Sequence, residues 1–292
     1  MGSHPNNSIS TKKVLVAGAT GYLGRYVVET LKNRGFWVRA LGRSAARLDP
    51  IREYADELFV GELTEPDSVD GLCDGIDIVF SSVGITRQKD GLTYRDVDYK
   101  ANSSLLRIAE SSGVSKFMYV HVLNAEKLQQ VAMIQAKQAF VDELKRSSLR
   151  HTVVCPTGFF SDMEEFLSMA RSGRVYLFGD GSCRINPIHG ADLAEVCVDA
   201  FESPKRQIDV GGPEEFTYRE IAELAFDVLD KPPKITCVPQ KLVTFAVAAL
   251  RRLAPVKTYG PVQFLSTVMM MDVIGEPYGE RRLLDHFRSR RS

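Results

Sequence analysis

Three glycines near the N-terminus have the spacing of a turn that binds a phosphate group. Gly18, Gly21 and Gly24 follow the apolar run at residues 14–17 and open a helix-like segment. In such a turn the first glycine permits the tight bend, the second admits a pyrophosphate, and the third lets the helix pack closely on the strand. The free N–H groups at the helix start favour the negative charge. The predicted dinucleotide site also includes the intervening residues Thr20, Tyr22 and Leu23.

The residues that follow the next strand-like segments indicate which dinucleotide binds. Arg43 follows the second segment, where an acidic residue would favour NAD and an arginine suits the 2′-phosphate of NADP. We therefore predict NADP(H), with NAD(H) as the alternative and Arg47 as a helper. The competing interpretation of Arg43 is a solvated loop arginine. Further contacts to the cofactor are expected from Glu62, Leu63, Ser82, Val83 and Gly84.

A further group of candidates follows the sixth strand-like segment. Pro156, Thr157, Gly158, Phe159 and Phe160 stand there, and ligands in open α/β sheets bind outside the carboxyl ends of the strands. We expect the first four to contact the cofactor. The two phenylalanines are expected to line an apolar substrate pocket, with plain core packing as the alternative for either.

These candidates need a sheet whose strands end at one edge, and the first 155 residues predict one. Strands are expected at residues 14–17, 37–41, 58–60, 76–80, 116–120 and 151–155, with helices at 22–33, 93–111 and 128–147. This alternation predicts the α/β class with a Rossmann doubly wound parallel sheet. Residues 12–155 would form the dinucleotide-binding core. Residues 156–292 would form a smaller substrate-side lobe with amphipathic C-terminal helices, packed on the core as one unit.

Composition and charge narrow the class of protein. The 37 basic and 37 acidic side chains cancel, so no global field attracts nucleic acid, and no nucleic-acid partner is expected. The five cysteines are odd in number and form no CxxC pair, so neither a metal site nor a disulfide framework is predicted. Isolated thiols suit a reducing cytosol, and a cytoplasmic location is expected. The polar residues 1–10 are expected to form a tail outside the fold.

Six segments, in chain order, resemble the atypical branch of the short-chain dehydrogenase/reductase superfamily. They are GATGYLG, SSVG, KFMYVHVLNA, AKQAFVDEL, VVCPTGFF and INPIHGADLAEV. This branch includes NmrA-like proteins, isoflavone-reductase-like enzymes, divinyl chlorophyllide reductases and an accessory subunit of respiratory complex I. The resemblance covers residues 12–215 and implies a Rossmann fold, a nicotinamide cofactor and usually a reductase activity.

The resemblance also implies a Tyr-x-x-x-Lys pair, of which this chain keeps only the lysine. Lys137 matches the lysine, Met133 stands four residues earlier, and none of the ten tyrosines has a lysine four positions later. Lys137 is therefore expected to bind the cofactor ribose, to donate a proton or to support a developing oxyanion. The competing interpretation is a surface lysine. Met133 is expected in the substrate pocket.

Three other polar residues acquire roles from the same comparison. His121 stands near the position of the family's serine, and we expect it to titrate near neutral pH and replace the missing acid, with a structural histidine as the alternative. His189 matches a position that packs under the active site and caps the following helix. Asp192 is expected to support that helix's N-terminus.

The C-terminal segment at residues 240–271 is apolar and contains four basic side chains, Lys241, Arg251, Arg252 and Lys257. A segment of this kind can lie on a membrane surface, cover the substrate pocket or form a dimer contact. The sequence leaves these three interpretations open, and the oligomeric state with them.

The sequence is compatible with two functions. The first is an NAD(P)H-dependent oxidoreductase that transfers hydride to a carbonyl or conjugated double bond of a hydrophobic, aromatic or quinone-like substrate, without the usual tyrosine acid. The second is an NADP(H)-binding redox sensor or assembly factor without turnover. The lack of both the family's serine and its tyrosine favours the second.

Overall fold

The computed structural model describes residues 11–85 and 91–291, and the tail at residues 1–10 lies outside them. The strands are β1 (Lys13–Ala17), β2 (Trp37–Gly42), β3 (Glu57–Val60), β4 (Ile78–Ser81), β5 (Lys116–Val120), β6 (Arg150–Pro156), β7 (Val175–Phe178), β8 (Arg184–Ile185), β9 (Gln207–Gly211), β10 (Phe216–Thr217), β11 (Ile235–Val238) and β12 (Glu276–Pro277). The helices are α1 (Tyr22–Asn33), α2 (Ala45–Leu48), α3 (Asn102–Ser111), α4 (Ala132–Arg146), α5 (Phe160–Arg171), α6 (Gly190–Asp199), α7 (Tyr218–Val228), α8 (Gln240–Leu253), α9 (Val256–Val268) and α10 (Leu283–Ser289).

Eight strands form one sheet in the order β12-β9-β6-β5-β4-β1-β2-β3. Every pairing within it is parallel. The chain order runs outward from β1 in one direction through β2 and β3, and from β4 in the other through β5 and β6. The boundary between β1 and β4 is therefore the topological switch point, outside whose carboxyl edge ligands bind. This sheet confirms the predicted α/β class and Rossmann fold.

The central strand shows why its sequence is apolar throughout. Leu15 and Ala17 belong to the core layer that contains residues of α3 and α4. Val14 and Val16 belong to the layer on the other face, with residues of α1 and α6. A strand buried on both faces needs apolar side chains at every position rather than at alternate ones. Because helices cover both faces of the sheet, a ligand can reach it only at the ends of the strands.

The sheet is wider than the six predicted strands. β9 pairs with β6, and β12 pairs with β9. β9 has the sequence QIDVG, and only its last two residues are buried, so it lacks the apolar run of the central strands. Because both added strands come from beyond residue 156, the sheet crosses the predicted domain boundary, and the two-part division stays an interpretation.

Two predicted helices differ from those in the structure. The helix expected over 93–111 is a π-helical segment, Arg95–Ala101, that continues into α3. The helix expected over 128–147 begins only at Ala132, after a 3₁₀ turn at Ala125–Leu128. The π segment matters for the site, since its wider turn carries Asp98 and leads to Asn102, both with 0% exposure.

Candidate functional site

The glycine turn joins β1 to α1 with the geometry that its spacing predicts. Gly18 has φ +86°, in the left-handed region. A Cβ on Gly24 would lie 2.0 Å from the Gly18 carbonyl oxygen, so only glycine lets α1 approach β1 this closely. Gly21 caps α1 without a side-chain hydrogen bond, and the first turn carries no acidic residue. The backbone N–H groups at this helix start are therefore suited to an anion.

The other predicted residues of this turn pack against their neighbours. Leu23 is 4% exposed and belongs to the core. The Tyr22 hydroxyl accepts a hydrogen bond of 3.1 Å from the Gly190 N–H, at the start of α6. Burial raises the pKa of Tyr22 to about 12, so its hydroxyl keeps its proton. Thr20 lies beside the end of β2, where a Cβ on Gly42 would be 3.2 Å from its methyl group.

The ends of β2 and β3 bring together two residues that the sequence singled out separately. Arg43 Nε lies 3.7 Å from a carboxylate oxygen of Glu62, and their side chains are 47% and 27% exposed. Leu63, next to Glu62, is 5% exposed and packs in the core. Arg47 is exposed on the short helix α2. The structure therefore places Arg43 and Glu62 at the surface of the edge where the adenosine end of a dinucleotide is expected.

A buried asparagine holds the loop after β4 in place. Asn102 accepts a 2.6 Å hydrogen bond from the Ser81 hydroxyl. Its amide donates to the carbonyl of Val83 at 3.2 Å and to two carbonyls of the π segment, at 3.1 and 3.2 Å. The Ser82 N–H donates to the Ala17 carbonyl, which ties this loop to the glycine turn. The two loops on either side of the switch point are thus fixed relative to each other.

Lys137 lies at the centre of a buried charged cluster and not on the helix surface. Its Nζ is 3.3 Å from an Asp98 carboxylate oxygen and donates a 3.3 Å hydrogen bond to the Tyr119 hydroxyl. Lys137 is 11% and Asp98 0% exposed. A Cβ on Gly84 would lie 2.6 Å from the Asp98 carboxylate and 2.8 Å from Lys137 Nζ. Gly84 is therefore needed for the loop to pass this close to the pair.

The electrostatics of the cluster set which groups are charged at neutral pH. Burial lowers the pKa of Lys137, but Tyr119 and Asp98 raise it by more, so the ammonium persists. Burial raises the pKa of Asp98 to about 6, against the opposing effect of Lys137, so Asp98 is a carboxylate. Burial also raises the pKa of Tyr119 to about 12. The cluster is thus an ion pair beside a neutral phenol.

The expectation that His121 titrates near neutral pH is wrong. Burial, followed by the charge of Lys137, lowers the pKa of His121 to about 4. The ring is 5% exposed, and its Nε2 lies 3.2 Å from the side-chain oxygen of Gln138. A neutral imidazole with so low a pKa cannot supply a proton as an imidazolium at neutral pH. The geometry agrees with the structural alternative for His121.

The segment after β6 forms one wall of a large cavity. The Thr157 hydroxyl donates a 2.6 Å hydrogen bond to the Asn186 carbonyl, and the Ile188 N–H donates to the Gly158 carbonyl at 2.8 Å. Pro156 is buried at the end of β6. The cavity has a volume of about 1180 Å³, and its walls include Gly84, Thr157, Gly158, Met163, Phe166, Phe264, Leu265 and Val268.

The three predicted pocket residues lie elsewhere. Met133 is 5% exposed, in a core cluster with Tyr94 and Ile134. Phe160 is 2% exposed, with its ring centroid 5.5 Å from that of His189. Phe159 is partly buried, and its ring lies 5.6 Å from Tyr22. None of the three is among the residues that line the cavity formed by the described part of the chain.

The helix α6 begins as its motif predicts. The His189 side chain accepts a hydrogen bond of 3.1 Å from the Ala191 N–H and so caps the helix. Asp192 stands in the first turn, where a negative charge is favourable. It also forms an ion pair with Arg281, which fastens the C-terminal segment to this helix.

Sequence reasoning missed the partners of Lys137. Asp98 and Asn102 are polar residues four apart in a segment whose other inward residues are mostly apolar, and that spacing was the available signal. Tyr119 gave no signal, because it is part of an apolar strand and precedes Lys137 by 18 residues. Only the pairing of β5 with β4, together with the packing of α4, brings the hydroxyl to the amine.

The sheet, its switch point and the glycine turn define a dinucleotide-binding protein of the Rossmann type. The chain belongs to the NAD(P)H-binding family whose model matches residues 18–204. This match confirms the predicted nicotinamide cofactor. It agrees with the resemblance stated above at the level of an NAD(P)H-binding family.

The relatives of this chain include both a reductase and an assembly factor. The chloroplastic divinyl chlorophyllide a 8-vinyl-reductase of Arabidopsis thaliana is 29% identical over 278 residues, which cover 87% of this chain and 66% of the relative. The photosystem II assembly factor Ycf39 of Trieres chinensis is 24% identical over 231 residues, with 77% of this chain and 72% of the relative covered. The chain thus spans about two thirds of the length of the reductase.

A solved structure supports the fold. Triphenylmethane reductase of Citrobacter sp., solved with NADP(H), superposes with a TM-score of 0.75 at 15% identity, covering 96% of this chain and 100% of that one. At this identity the likeness concerns the fold alone. Within residues 11–85 and 91–291, no helix combines the length and the apolar character needed to cross a bilayer.

Proposed function

We propose that the protein is an NADPH-dependent reductase acting on a hydrophobic substrate that carries a carbonyl or a conjugated double bond. The observation that carries the proposal is the position of the cavity, which lies at the carboxyl edge of the sheet, where the cofactor is expected to bind. Gly84, Thr157 and Gly158, which follow β4 and β6, lie in the same cavity wall as the apolar side chains of α5 and α9. A substrate held there would lie against the nicotinamide end of a bound dinucleotide.

The residues present fit this cofactor. Gly21 has no side chain, which leaves room for a pyrophosphate at the uncapped start of α1, and Gly24 lets that helix pack against the turn. Arg43, at the surface of the β2 edge, is proposed to hold the 2′-phosphate, with Glu62 orienting its guanidinium. An ammonium has three donors; Asp98 and Tyr119 are the partners of two, and the third is proposed to bind the nicotinamide ribose.

The chemistry divides between the cofactor and the protein. When bound, the reduced nicotinamide supplies a hydride, which carries two electrons. Lys137 keeps its charge at neutral pH, so it stabilises negative charge that develops on a nearby substrate oxygen. Tyr119 is 0% exposed and Lys137 holds its proton tightly, so we propose that the proton that completes the reduction comes from water or from the substrate.

The apolar walls indicate the class of substrate. Met163, Phe166, Phe264 and Val268 offer soft and aromatic surface to a flat or extended apolar molecule. Aromatic ketones, enones and quinones fit this description.

The cysteines indicate a location. The free thiols of all five suit a reducing compartment, and we retain the cytosol as the proposed location.

The test follows oxidation of NADPH in the presence of quinones, aromatic ketones and enones. We expect turnover with at least one of these classes, and a loss of turnover in Lys137→Met. Tight NADPH binding without turnover of any class would contradict the reductase proposal.

That outcome would favour the second candidate, an NADP(H)-binding regulator or assembly factor. The specific observation in its favour is that Tyr119 is fully buried and His121 has a lowered pKa, so neither is suited to act as a general acid. The assembly factor Ycf39 among the relatives makes this candidate concrete.

A further inference from the structure

The helix α8 exposes apolar side chains along most of its length. Of its 14 residues only Val243 is buried. Leu242 is 57%, Phe245 73% and Leu253 86% exposed, which are among the highest exposures of large apolar residues in the described chain. At about 100° per residue these three side chains fall within an arc of roughly 80°. They form one continuous apolar stripe on the outer surface of the helix.

The neighbouring helix α9 holds α8 away from the sheet. A Cβ on Gly260 would lie 2.9 Å from the ring of Tyr94, so the backbone of α9 touches the core directly. The Gln263 side chain donates a 3.0 Å hydrogen bond to the carbonyl of Gln130. α9 is therefore anchored to the turn that precedes α4, while α8 packs mainly against α9 and leaves its stripe outside.

The segment that contains α8 and α9 is strongly basic. Residues 231–271 contain six basic and no acidic side chains, in a chain whose net charge is zero. Lys241 and Arg252 are exposed, and at 100° per residue they fall beside Phe245 along one edge of the stripe. An exposed apolar stripe bordered by basic side chains is the pattern of a helix that lies in the plane of a membrane surface.

A second copy of the chain fits this surface poorly. In a two-fold contact through α8, each stripe would meet the same stripe, and the basic edge of one copy would approach that of the other. Residues 231–271 offer no carboxylate to pair with those charges. Anionic lipid headgroups supply the opposite charge to Lys241 and Arg252, and the acyl boundary accepts Phe245 and Leu253.

We propose that α8 docks the protein on the surface of an anionic phospholipid bilayer. Docking has a consequence for the cavity, which rests on the proposed reductase function. Val262 and Leu265 of α9 are 39% and 44% exposed and also line the cavity. A lipophilic substrate would then enter beside the docked helix without crossing water.

The test is co-sedimentation of the full-length protein with vesicles of phosphatidylcholine alone or mixed with phosphatidylglycerol. We expect binding to the mixed vesicles only, weakening as salt is added. The variant Phe245→Ser/Leu253→Ser should bind at least about tenfold more weakly. The variant Lys241→Gln/Arg252→Gln should bind about 25-fold more weakly at low salt, since each basic group near an anionic surface contributes about fivefold.

Matched controls separate docking from general effects on charge and folding. Tyr278→Ser removes an aromatic side chain that is 38% exposed near α6, and Lys205→Gln/Arg206→Gln removes two exposed basic groups before β9. Both controls should bind like the wild type, and every variant should keep its NADPH affinity and its circular dichroism spectrum.

Three outcomes would overturn the proposal. The first is that the protein does not bind the mixed vesicles, and the second is that it binds both vesicle types equally. The third is that the protein binds no vesicles but forms a dimer in solution, which the Phe245→Ser/Leu253→Ser variant dissociates. Since vesicle binding needs no turnover, its failure is distinguishable from failure of the reductase proposal.

Discussion

Replacing Asp98 by asparagine tests whether a buried ion pair fixes Lys137 beside the proposed cofactor site. The two charged atoms are 3.3 Å apart, and the side chains are 0% and 11% exposed. At an effective dielectric constant of about 20 this separation corresponds to about 5 kcal/mol of attraction. Removing one partner of a buried pair costs about 3–5 kcal/mol, because the other charge is left uncompensated. We expect Asp98→Asn to lower the free energy of unfolding by about that amount.

The assay is urea unfolding followed by circular dichroism at neutral pH, run as a double-mutant cycle with Lys137→Met. The double variant Asp98→Asn/Lys137→Met buries no charge, so it should be more stable than additivity of the single variants predicts. NADPH binding, followed by fluorescence, should weaken roughly tenfold to hundredfold in Lys137→Met through loss of a charge-assisted hydrogen bond. A cost below about 1 kcal/mol for Asp98→Asn, as for an exposed pair, with NADPH affinity unchanged, would refute this reasoning.

Three further predictions concern neighbouring parts of the site. Gly84→Ala places a Cβ 2.8 Å from Lys137 Nζ, so calorimetry should show NADPH affinity reduced by about tenfold or more at a stability cost of about 1–3 kcal/mol; unchanged affinity would contradict the contact. Arg43→Asp should weaken binding of NADPH at least about tenfold and of NADH far less, with Arg52→Gln as a control on exposed charge nearby, and equal losses for both cofactors would argue against a 2′-phosphate site. Burial and the charge of Lys137 lower the pKa of His121 from 6.5 to about 4. As the pH falls, the imidazole therefore takes up a proton at a higher pH in the unfolded chain than in the folded one. Stability should therefore fall as the pH drops from about 6.5 towards 4, and His121→Gln should flatten that fall by up to about 3 kcal/mol in acid unfolding curves; an unaltered acid limb would show that the ring is not held neutral.

Most of the central sheet and its first turn was predictable from the sequence, because the signals for them are local. The turn from Gly18 to Gly24 needs glycine for steric reasons that operate within seven residues. The strands β1, β4 and β5 are buried on both faces, so each is a short apolar run that can be read without knowing its neighbours. β9 could not be found this way, since its sequence QIDVG owes its place to pairing with β6 and not to its own apolar character.

The site around Lys137 was not predictable beyond the lysine itself. The position of His121 and Met133 relative to a family pattern predicts a role in the site for both. The structure buries His121 beside a cation, and it packs Met133 in a core cluster with Tyr94. Side-chain direction and desolvation decide such roles, and both depend on elements that are distant in sequence.

By itself, the sequence determined that the chain folds as a Rossmann sheet, that a tight glycine turn joins its first strand to its first helix, and that Lys137 lacks a tyrosine four residues before it. Only the tertiary structure decided what surrounds that lysine. A π-helical turn brings Asp98, and the neighbouring strand β5 brings Tyr119, to one ammonium from 39 and 18 residues away. Glycine spacing encodes backbone geometry, which is local, whereas the charge state of a buried amine depends on every group that the fold packs around it.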